Sequence, residues 1–234
     1  MSNTYVIGDI HGELTLVNAL LQKIHIDFQK DRLIFLGDYI DRGPASKEVL
    51  SLMEELQQKG AYCLMGNHEH IMLSVFTHAN ARKFEHWVTV AGGRATLESY
   101  GYSPSYIEEH LFKEAYTDET LHKHLRFIET LLPYFEKEDT IFVHGGVDPE
   151  KDVKETPVDQ LLWIREEFHL NYHGTKTIVF GHTPTSILHK DKNNHSPYFG
   201  ENRIIGIDGG AVFGGQLHCL VLPSKQVISV SKKE

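Results

Sequence analysis

Six side chains of the kinds that bind divalent metal ions stand in short turns, most of them beside glycine. They are aspartate, histidine and asparagine residues: Asp9, His11, Asp38, Asn67, His144 and His182. This mixture of oxygen and imidazole donors, without a thiolate, favours Mn²⁺ or Fe over a structural Zn²⁺. We expect two adjacent sites, the first formed by Asp9, His11 and Asp38. The second site would add Asn67, His144 and His182, with Asp38 as the carboxylate that both ions share.

A metal pair of this kind suits hydrolysis at phosphorus. It would lower the pKa of a bridging water, and the resulting hydroxide could attack phosphorus directly. A departing alkoxide needs a proton, and His68 is the candidate general acid. Asp41 could fix the His68 tautomer and keep the ring protonated. Arg42 could bind phosphate oxygens in bidentate fashion, and we expect Asn67 and His68 to face the phosphate as well.

A second arginine is expected for the remaining phosphate oxygens. Arg165, two residues after Trp163, is the first choice, and Arg94, in a glycine loop, is the second. Arg165 alone would more often be a surface charge among Glu166 and Glu167. The motifs are also weak one by one, because an Asp-x-His pair is usually an ordinary turn. Five polar, glycine-flanked turns that each follow an apolar strand are much harder to obtain by accident.

The elements that position these turns can be predicted from the pattern of apolar residues. Residues 4–7, 32–36 and 61–65 are apolar runs that each end at a glycine, and helical periodicity lies between them. Ser46 is the expected cap of the second helix. The spacings from Asp9 to Asp38 and from Asp38 to Asn67 are both 29 residues. Equal βα units place the three turns at the same edge of a parallel sheet, where ligands bind in α/β proteins.

The rest of the chain predicts a helical insertion followed by β structure. Residues 70–132 are expected to pack beside the sheet as an insertion, with a helix that begins at Thr117 or Asp118. Further strands are expected at 134–136, 140–143, 177–180, 203–208, 216–222 and 226–230, and a short helix runs from 159 to 168. We therefore predict a mixed α/β fold and a single domain over residues 1–234.

Composition excludes several classes of protein. The net charge of −9 argues against nucleic acid as the main partner. No apolar stretch reaches the length of a membrane span, and the amino terminus lacks the pattern of a signal peptide. Cys63 and Cys219 lie in apolar runs and are expected to be reduced core residues of a cytoplasmic protein. The oligomeric state stays open.

The motifs together resemble the signature of the phosphoprotein phosphatase family of metallophosphoesterases, especially its small bacterial and phage members. The segments that carry the resemblance are 8–12, 37–43, 66–69, 144–146 and 181–184. It implies a four-layer calcineurin-like fold, with a central β-sandwich flanked by helices, and a site for two ions of Mn²⁺, Fe or Zn²⁺. It also implies the ligand and catalytic roles given above. Residues 208–215 resemble a family segment that closes over the site, whereas His218 is expected to be structural.

Three functions compete. The leading one is a protein serine/threonine phosphatase, with or without activity on phosphotyrosine, acting on a phosphorylated protein or peptide. The alternative is a dinucleoside polyphosphate hydrolase acting on diadenosine tetraphosphate. Such relatives tend to have Ala-Arg-Gly where this chain has Asp41-Arg42-Gly43, which favours the phosphatase. A metal-binding scaffold without activity is the third, and the presence of His68 argues against it.

Overall fold

Ten β-strands form two five-stranded sheets in the computed structural model, which describes residues 2–78 and 81–232. The first sheet contains, in spatial order, β10 (Gln226–Ser231), β9 (Gln216–Leu222), β1 (Thr4–Ile7), β2 (Arg32–Phe35) and β3 (Tyr62–Cys63). The second contains β4 (Tyr134–Lys137), β5 (Thr140–Val143), β6 (Thr177–Phe180), β8 (Ile204–Gly206) and β7 (Tyr198–Phe199).

Each sheet contains three adjacent parallel strands, as the apolar runs predict. Strands β1, β2 and β3 pair in parallel, and so do β5, β6 and β8. The crossovers in the first sheet are α1 (Leu14–Lys23) and α2 (Ser46–Gln58). Because the carboxyl ends of parallel strands meet at one edge of a sheet, the polar turns after these strands are brought together.

The two sheets pack face to face through a layer of apolar side chains. Val6, Ile34 and Leu36 of the first sheet share a buried cluster with Phe142 and Val179 of the second. Separate apolar clusters cover the outer faces, one under α1 and α2 and one under the helices that follow β5. The order of layers is therefore helix, sheet, sheet, helix, which confirms the predicted four-layer α/β fold.

Eight further helices occur in the rest of the described chain. They are α3 (Asn67–Thr77), α4 (Ala81–His86), α5 (Gly93–Ser99), α6 (Pro104–Glu109), α7 (Glu119–Ile128), α8 (Val158–Trp163), α9 (Glu166–Asn171) and α10 (Thr185–Leu188). A π-helical turn at Trp87–Ala91 joins α4 to α5. Three 3₁₀ turns occur at Lys113–Ala115, Val153–Glu155 and Ala211–Phe213. No helix in the described residues is long and apolar enough to cross a membrane.

The described residues between 70 and 132 are largely helical, as expected. Its buried Phe84, Trp87 and Tyr116 belong to the same apolar cluster as Tyr5 and Ile7 of β1, so this region shares the core of the first sheet. The assignment of the whole chain to a single domain stays a prediction. Helix α7 begins where expected, because the Asp118 carboxylate accepts the N–H of Leu121 at 2.8 Å.

Three local expectations were wrong. Ser46 is the first residue of α2 and does not cap it; its hydroxyl accepts the N–H of Asp41 at 3.1 Å. The helix expected at 159–168 is two helices, α8 and α9, because the chain is extended at Ile164. The strand expected at 61–65 is shorter, because the regular strand covers only Tyr62–Cys63 and Leu64 forms an isolated bridge with Leu132.

Candidate active site

Five of the residues singled out for chemistry adopt the left-handed backbone conformation. The φ angles are 46° at His11, 53° at Asp38, 71° at Asp41, 70° at Arg42 and 61° at His182. This region is unfavourable for residues with a Cβ atom and costs on the order of 1 kcal/mol or more at each position. Such strain concentrates at functional sites, where the surrounding structure holds the side chains in place.

The turns approach one another so closely that glycine is required between them. A Cβ atom on Gly66 would lie 2.2 Å from the backbone nitrogen of Asp38. Glu69, in the first turn of α3, holds the loop that contains Asp38 through hydrogen bonds. Its carboxylate accepts the N–H groups of Asp38 at 2.8 Å and Tyr39 at 2.7 Å. The first turn of α3 therefore positions Asp38, a link that the sequence did not reveal.

Two clusters of potential metal ligands share Asp38. The first joins Asp38 to His11 and His68, and the second joins it to His144 and His182. His11 Nε2 lies 3.4 Å from Asp38 Oδ2, while His144 Nε2 lies 3.3 Å from Asp38 Oδ1. The two carboxylate oxygens thus face different clusters, which is the arrangement that a bridging ligand needs.

Asn67 belongs to the second cluster. Its side-chain oxygen lies 2.8 Å from His144 Nε2 and 2.8 Å from His182 Nδ1. Asp9 lies beside the clusters without belonging to either, because its carboxylate accepts the backbone N–H of His182 at 3.1 Å on both oxygens. Burial, together with the charges of Asp208 and Asp38, raises the pKa of Asp9 well above its usual value. The ligand set that includes Asp9 stays a prediction.

The hydrogen bonds of two histidines test whether these residues fit a cation. His11 Nδ1 lies 2.7 Å from the carbonyl oxygen of Ile40, and His144 Nδ1 lies 2.9 Å from that of Leu36. Each Nδ1 must carry the hydrogen, so each Nε2 presents a lone pair. Burial lowers the pKa of His11 to about 3, which keeps that ring neutral. The His144 lone pair faces the Asp38 carboxylate at 3.3 Å and the Asn67 oxygen at 2.8 Å, and these groups need a cation among them, so the residues fit a metal site.

His68 is held by a buried carboxylate, as predicted. Its Nδ1 lies 2.7 Å from Asp41 Oδ2, and Asp41 is completely buried. Burial opposes charge on the ring, but the carboxylates of Asp38 and Asp41 outweigh it and raise the pKa of His68. His68 Nε2 remains 3.9 Å from Asp38 Oδ2 and lines the cavity, where it could give a proton to a substrate.

The helical insertion supplies two further donors to Asp41. Trp87 Nε1 lies 3.0 Å from Asp41 Oδ2, and Thr96 Oγ1 lies 2.6 Å from Asp41 Oδ1. The carbonyl of Gly92, between them, accepts the N–H of Arg42 at 3.1 Å. Sequence reasoning missed these residues because the insertion carries no recognisable motif. The paired glycines at 92 and 93 were a local signal in the sequence, and they indicate no chemistry by themselves.

The three candidate arginines lie in different places. Arg42 donates to His11 Nε2, and Arg165 donates to the carbonyl of His182 at 3.0 Å and to the Thr183 hydroxyl at 3.1 Å. Both line the cavity above the metal-ligand clusters. Arg94 is absent from that lining and forms a surface ion pair with Glu108 at 2.9 Å. The geometry therefore favours Arg165 as the second phosphate ligand.

This cavity has a volume of about 540 Å³ and is bounded by both polar and aromatic residues. Phe213 and Trp163 are 68% and 44% exposed, and both line it. Phe213 lies beneath the Arg42 guanidinium at 5.4 Å, whereas the Trp163 ring lies 5.9 Å from that of His182. The cavity therefore has one aromatic ring beside Arg42 and another beside His182.

Asp208 is a further cavity residue that sequence reasoning did not assign. It follows β8 just as Asp9 follows β1, and its buried carboxylate accepts the N–H of Gly210 at 2.9 Å. Burial raises its pKa to about 6, and Asp38 adds to this effect. Its position after an apolar strand and before two glycines was the signal that could have identified it. His218 is buried against His195 and Ser229, and no described cavity includes it.

Comparisons with known proteins agree with this geometry. The model of the calcineurin-like phosphoesterase family matches residues 2–219. The chain is 32% identical to bis(5'-nucleosyl)-tetraphosphatase PrpE (asymmetrical) of Bacillus thuringiensis strain Al Hakam, over 96% of this chain and 92% of that protein.

Two solved structures share the fold. One is described as a candidate diadenosine tetraphosphatase, with a TM-score of 0.69, 20% identity, and coverage of 98% of this chain and 93% of that chain. The other is the cold-active protein-tyrosine phosphatase of a psychrophilic Shewanella species, with a TM-score of 0.61, 20% identity, and coverage of 97% and 77%. From the family match and the 32% identical relative together, the chain belongs to the calcineurin-like phosphoesterases.

Proposed function

We propose that this protein hydrolyses dinucleoside polyphosphates such as diadenosine tetraphosphate. The observation that carries the proposal is the similarity, over nearly the full length of both chains, to a curated relative named for that activity. The leading hypothesis from sequence, a protein serine/threonine phosphatase, becomes the second candidate. The fold does not decide between them, because a structure named for dinucleotide hydrolysis and a structure named for protein dephosphorylation both share it.

The cavity has features that suit a dinucleotide. Arg42 and Arg165 line it and supply positive charge for phosphate oxygens. The exposed rings of Phe213 and Trp163 offer surfaces on which a base can stack, a contact worth roughly 1–3 kcal/mol for each base. A phosphorylated serine side chain would use the arginines but would have no need of the rings.

The residues of the site would have three separate roles in the reaction: holding metal ions, orienting the phosphoryl group and donating a proton. Bound metal ions would supply Lewis acidity and lower the pKa of a water ligand. Asp9, His11, Asp38, Asn67, His144 and His182 would hold them. Arg42 and Arg165 would orient the phosphoryl group so that a water oxygen forms the new bond to phosphorus in line with the bond that breaks. His68, kept protonated by Asp41, would give its proton to the leaving oxygen.

The second candidate has one specific observation in its favour. An alkoxide leaving group is a strong base and needs the proton that the Asp41–His68 pair can supply. A nucleotide leaves as a phosphate anion, which needs that proton less. The pair is thus more useful to a serine/threonine phosphatase, but its presence does not exclude a dinucleotide substrate. Asp41 therefore discriminates between the two activities less strongly than the sequence pattern indicated.

Product analysis tests the proposal. Chelator-treated protein would receive Mn²⁺ and diadenosine tetraphosphate, and the nucleotides formed would be separated by ion exchange. Asymmetrical cleavage is expected to give equal amounts of ATP and AMP. ADP as the only product would mean that the substrate class is right and the cleavage position wrong. The absence of any product, from protein that hydrolyses p-nitrophenyl phosphate, would contradict the proposal.

A further inference from the structure

A second cavity of about 460 Å³ adjoins the catalytic one on the side of Trp163. It is lined by residues of α3, α4 and α8: His70, Ile71, Ser74, Val75, Arg82, Lys83, His86 and Trp163. Three of these, Ile71, His86 and Trp163, also line the catalytic cavity. The two spaces are therefore neighbours that meet at these side chains.

The second cavity combines an apolar floor with a basic rim. Val75 is buried and Ile71 is half-buried, whereas Arg82 and Lys83 are exposed. An acidic side chain also lies beside the rim, because the Asp159 carboxylate is 3.7 Å from His70 Nδ1. Two adjacent cations beside a small apolar cavity suit a ligand that carries both a ring system and phosphates. Arg82 and Lys83 give this rim two basic side chains in a protein whose net charge is −9.

The size of the proposed substrate exceeds what one cavity provides. Each cavity is within the usual range for a single small ligand. The reacting phosphorus must lie in the first cavity, near Asp38, His68 and Arg42. A mononucleotide, or a phosphorylated side chain, would be accommodated there completely. A dinucleoside polyphosphate carries a second nucleoside at the far end of an anionic chain, and this part needs a separate apolar surface with cations beside it.

We propose that the second cavity binds the distal nucleoside of a dinucleoside polyphosphate, with Arg82 and Lys83 contacting its phosphates. The inference rests on the proposed function. The phosphate chain passes Trp163, the aromatic residue common to both cavities, whose 44% exposed ring can stack on a base. The cavity acts in binding and specificity only, because none of the residues that belong to it alone lies in the metal-ligand clusters.

Two variants test this assignment independently. The double variant R82Q/K83Q removes the basic rim, and S74W fills the cavity from α3 without changing charge. The matched control is R126Q, which replaces an exposed arginine of α7 that lines neither cavity. Each protein would be assayed with diadenosine tetraphosphate and with p-nitrophenyl phosphate, which is too small to reach the second cavity. Calorimetry on chelator-treated protein would give the Kd of diadenosine tetraphosphate without turnover.

Both test variants are expected to raise KM and Kd for diadenosine tetraphosphate at least tenfold and to leave kcat/KM for p-nitrophenyl phosphate within twofold of wild type. R126Q should change neither. Unchanged dinucleotide binding in both variants would overturn the inference, and so would parallel losses on both substrates, which would place the effect in the catalytic cavity.

Failure of the proposed function gives a different result. Wild-type protein that binds diadenosine tetraphosphate without cleaving it would contradict the proposed function, and a loss of that binding in R82Q/K83Q would still support the site. Wild-type protein that does not bind the dinucleotide would overturn both.

Discussion

The replacement Thr96→Val tests whether the insertion holds the Asp41 carboxylate that orients His68. Asp41 is fully buried and its carboxylate receives donors from His68, Trp87 and Thr96. Valine keeps the shape of threonine but removes the hydroxyl that donates to Oδ1 at 2.6 Å. The backbone N–H of Asp41 keeps Ser46 as an acceptor, so the substitution removes one donor from the carboxylate and leaves no new buried N–H unpaired.

The expected size of the effect follows from this geometry. A hydrogen bond to a charged group contributes roughly 1.5–3 kcal/mol, so the free energy of unfolding should fall by about 2 kcal/mol. For a chain of this length each kcal/mol corresponds to a change of about 2–4 °C in Tm, which predicts a decrease of about 4–8 °C. Thermal unfolding at neutral pH, followed by circular dichroism, measures it.

A matched control separates this effect from the general cost of replacing threonine by valine. Thr89 is exposed and donates its hydroxyl to the carbonyl of Glu85 within its own helical segment. Thr89→Val should therefore change the free energy of unfolding by less than about 0.5 kcal/mol. If Thr96→Val costs no more than Thr89→Val, Asp41 does not depend on the insertion and the reasoning is refuted.

Three further experiments test the site itself. His68→Asn should lower kcat for an alkyl phosphate by about 10²-fold or more but far less for p-nitrophenyl phosphate, whose leaving group is less basic; equal losses would contradict a general acid. Asp38→Ala should reduce the metal content measured by mass spectrometry at both sites, and two ions still bound per chain would contradict the bridge. Arg165→Gln should raise KM for a phosphate substrate at least tenfold while Arg94→Gln leaves it unchanged, and the reverse pattern would favour Arg94 as the phosphate ligand.

The edge of the sheet at which the site forms could be predicted, because its position depends on local signals that are repeated along the chain. Asp9, Asp38 and Asn67 each follow an apolar run that ends at glycine, at equal spacing. Parallel strands separated by one helix then leave no other place for the three turns than a common edge. His144 and His182 obey the same rule in the second sheet, where β5 and β6 are parallel.

The surroundings of His68 could not be predicted in the same way. Trp87 and Thr96 reach Asp41 only through the packing of the helical insertion, across 46 and 55 residues of sequence. Neither residue type indicates such a role, since a tryptophan or threonine in a helical region is usually a packing residue. The second cavity is similarly invisible in sequence, because it exists only where α3 and α4 meet Trp163 of α8.

The most direct test of the central claim is a comparison of kcat/KM for diadenosine tetraphosphate and a phosphoserine peptide, measured on one chelator-treated and Mn²⁺-supplemented preparation. We expect kcat/KM for the dinucleotide to be at least tenfold higher than that for the peptide. A higher kcat/KM for the peptide would contradict the proposed function. It would indicate that the Asp41–His68 pair serves a protein phosphatase reaction.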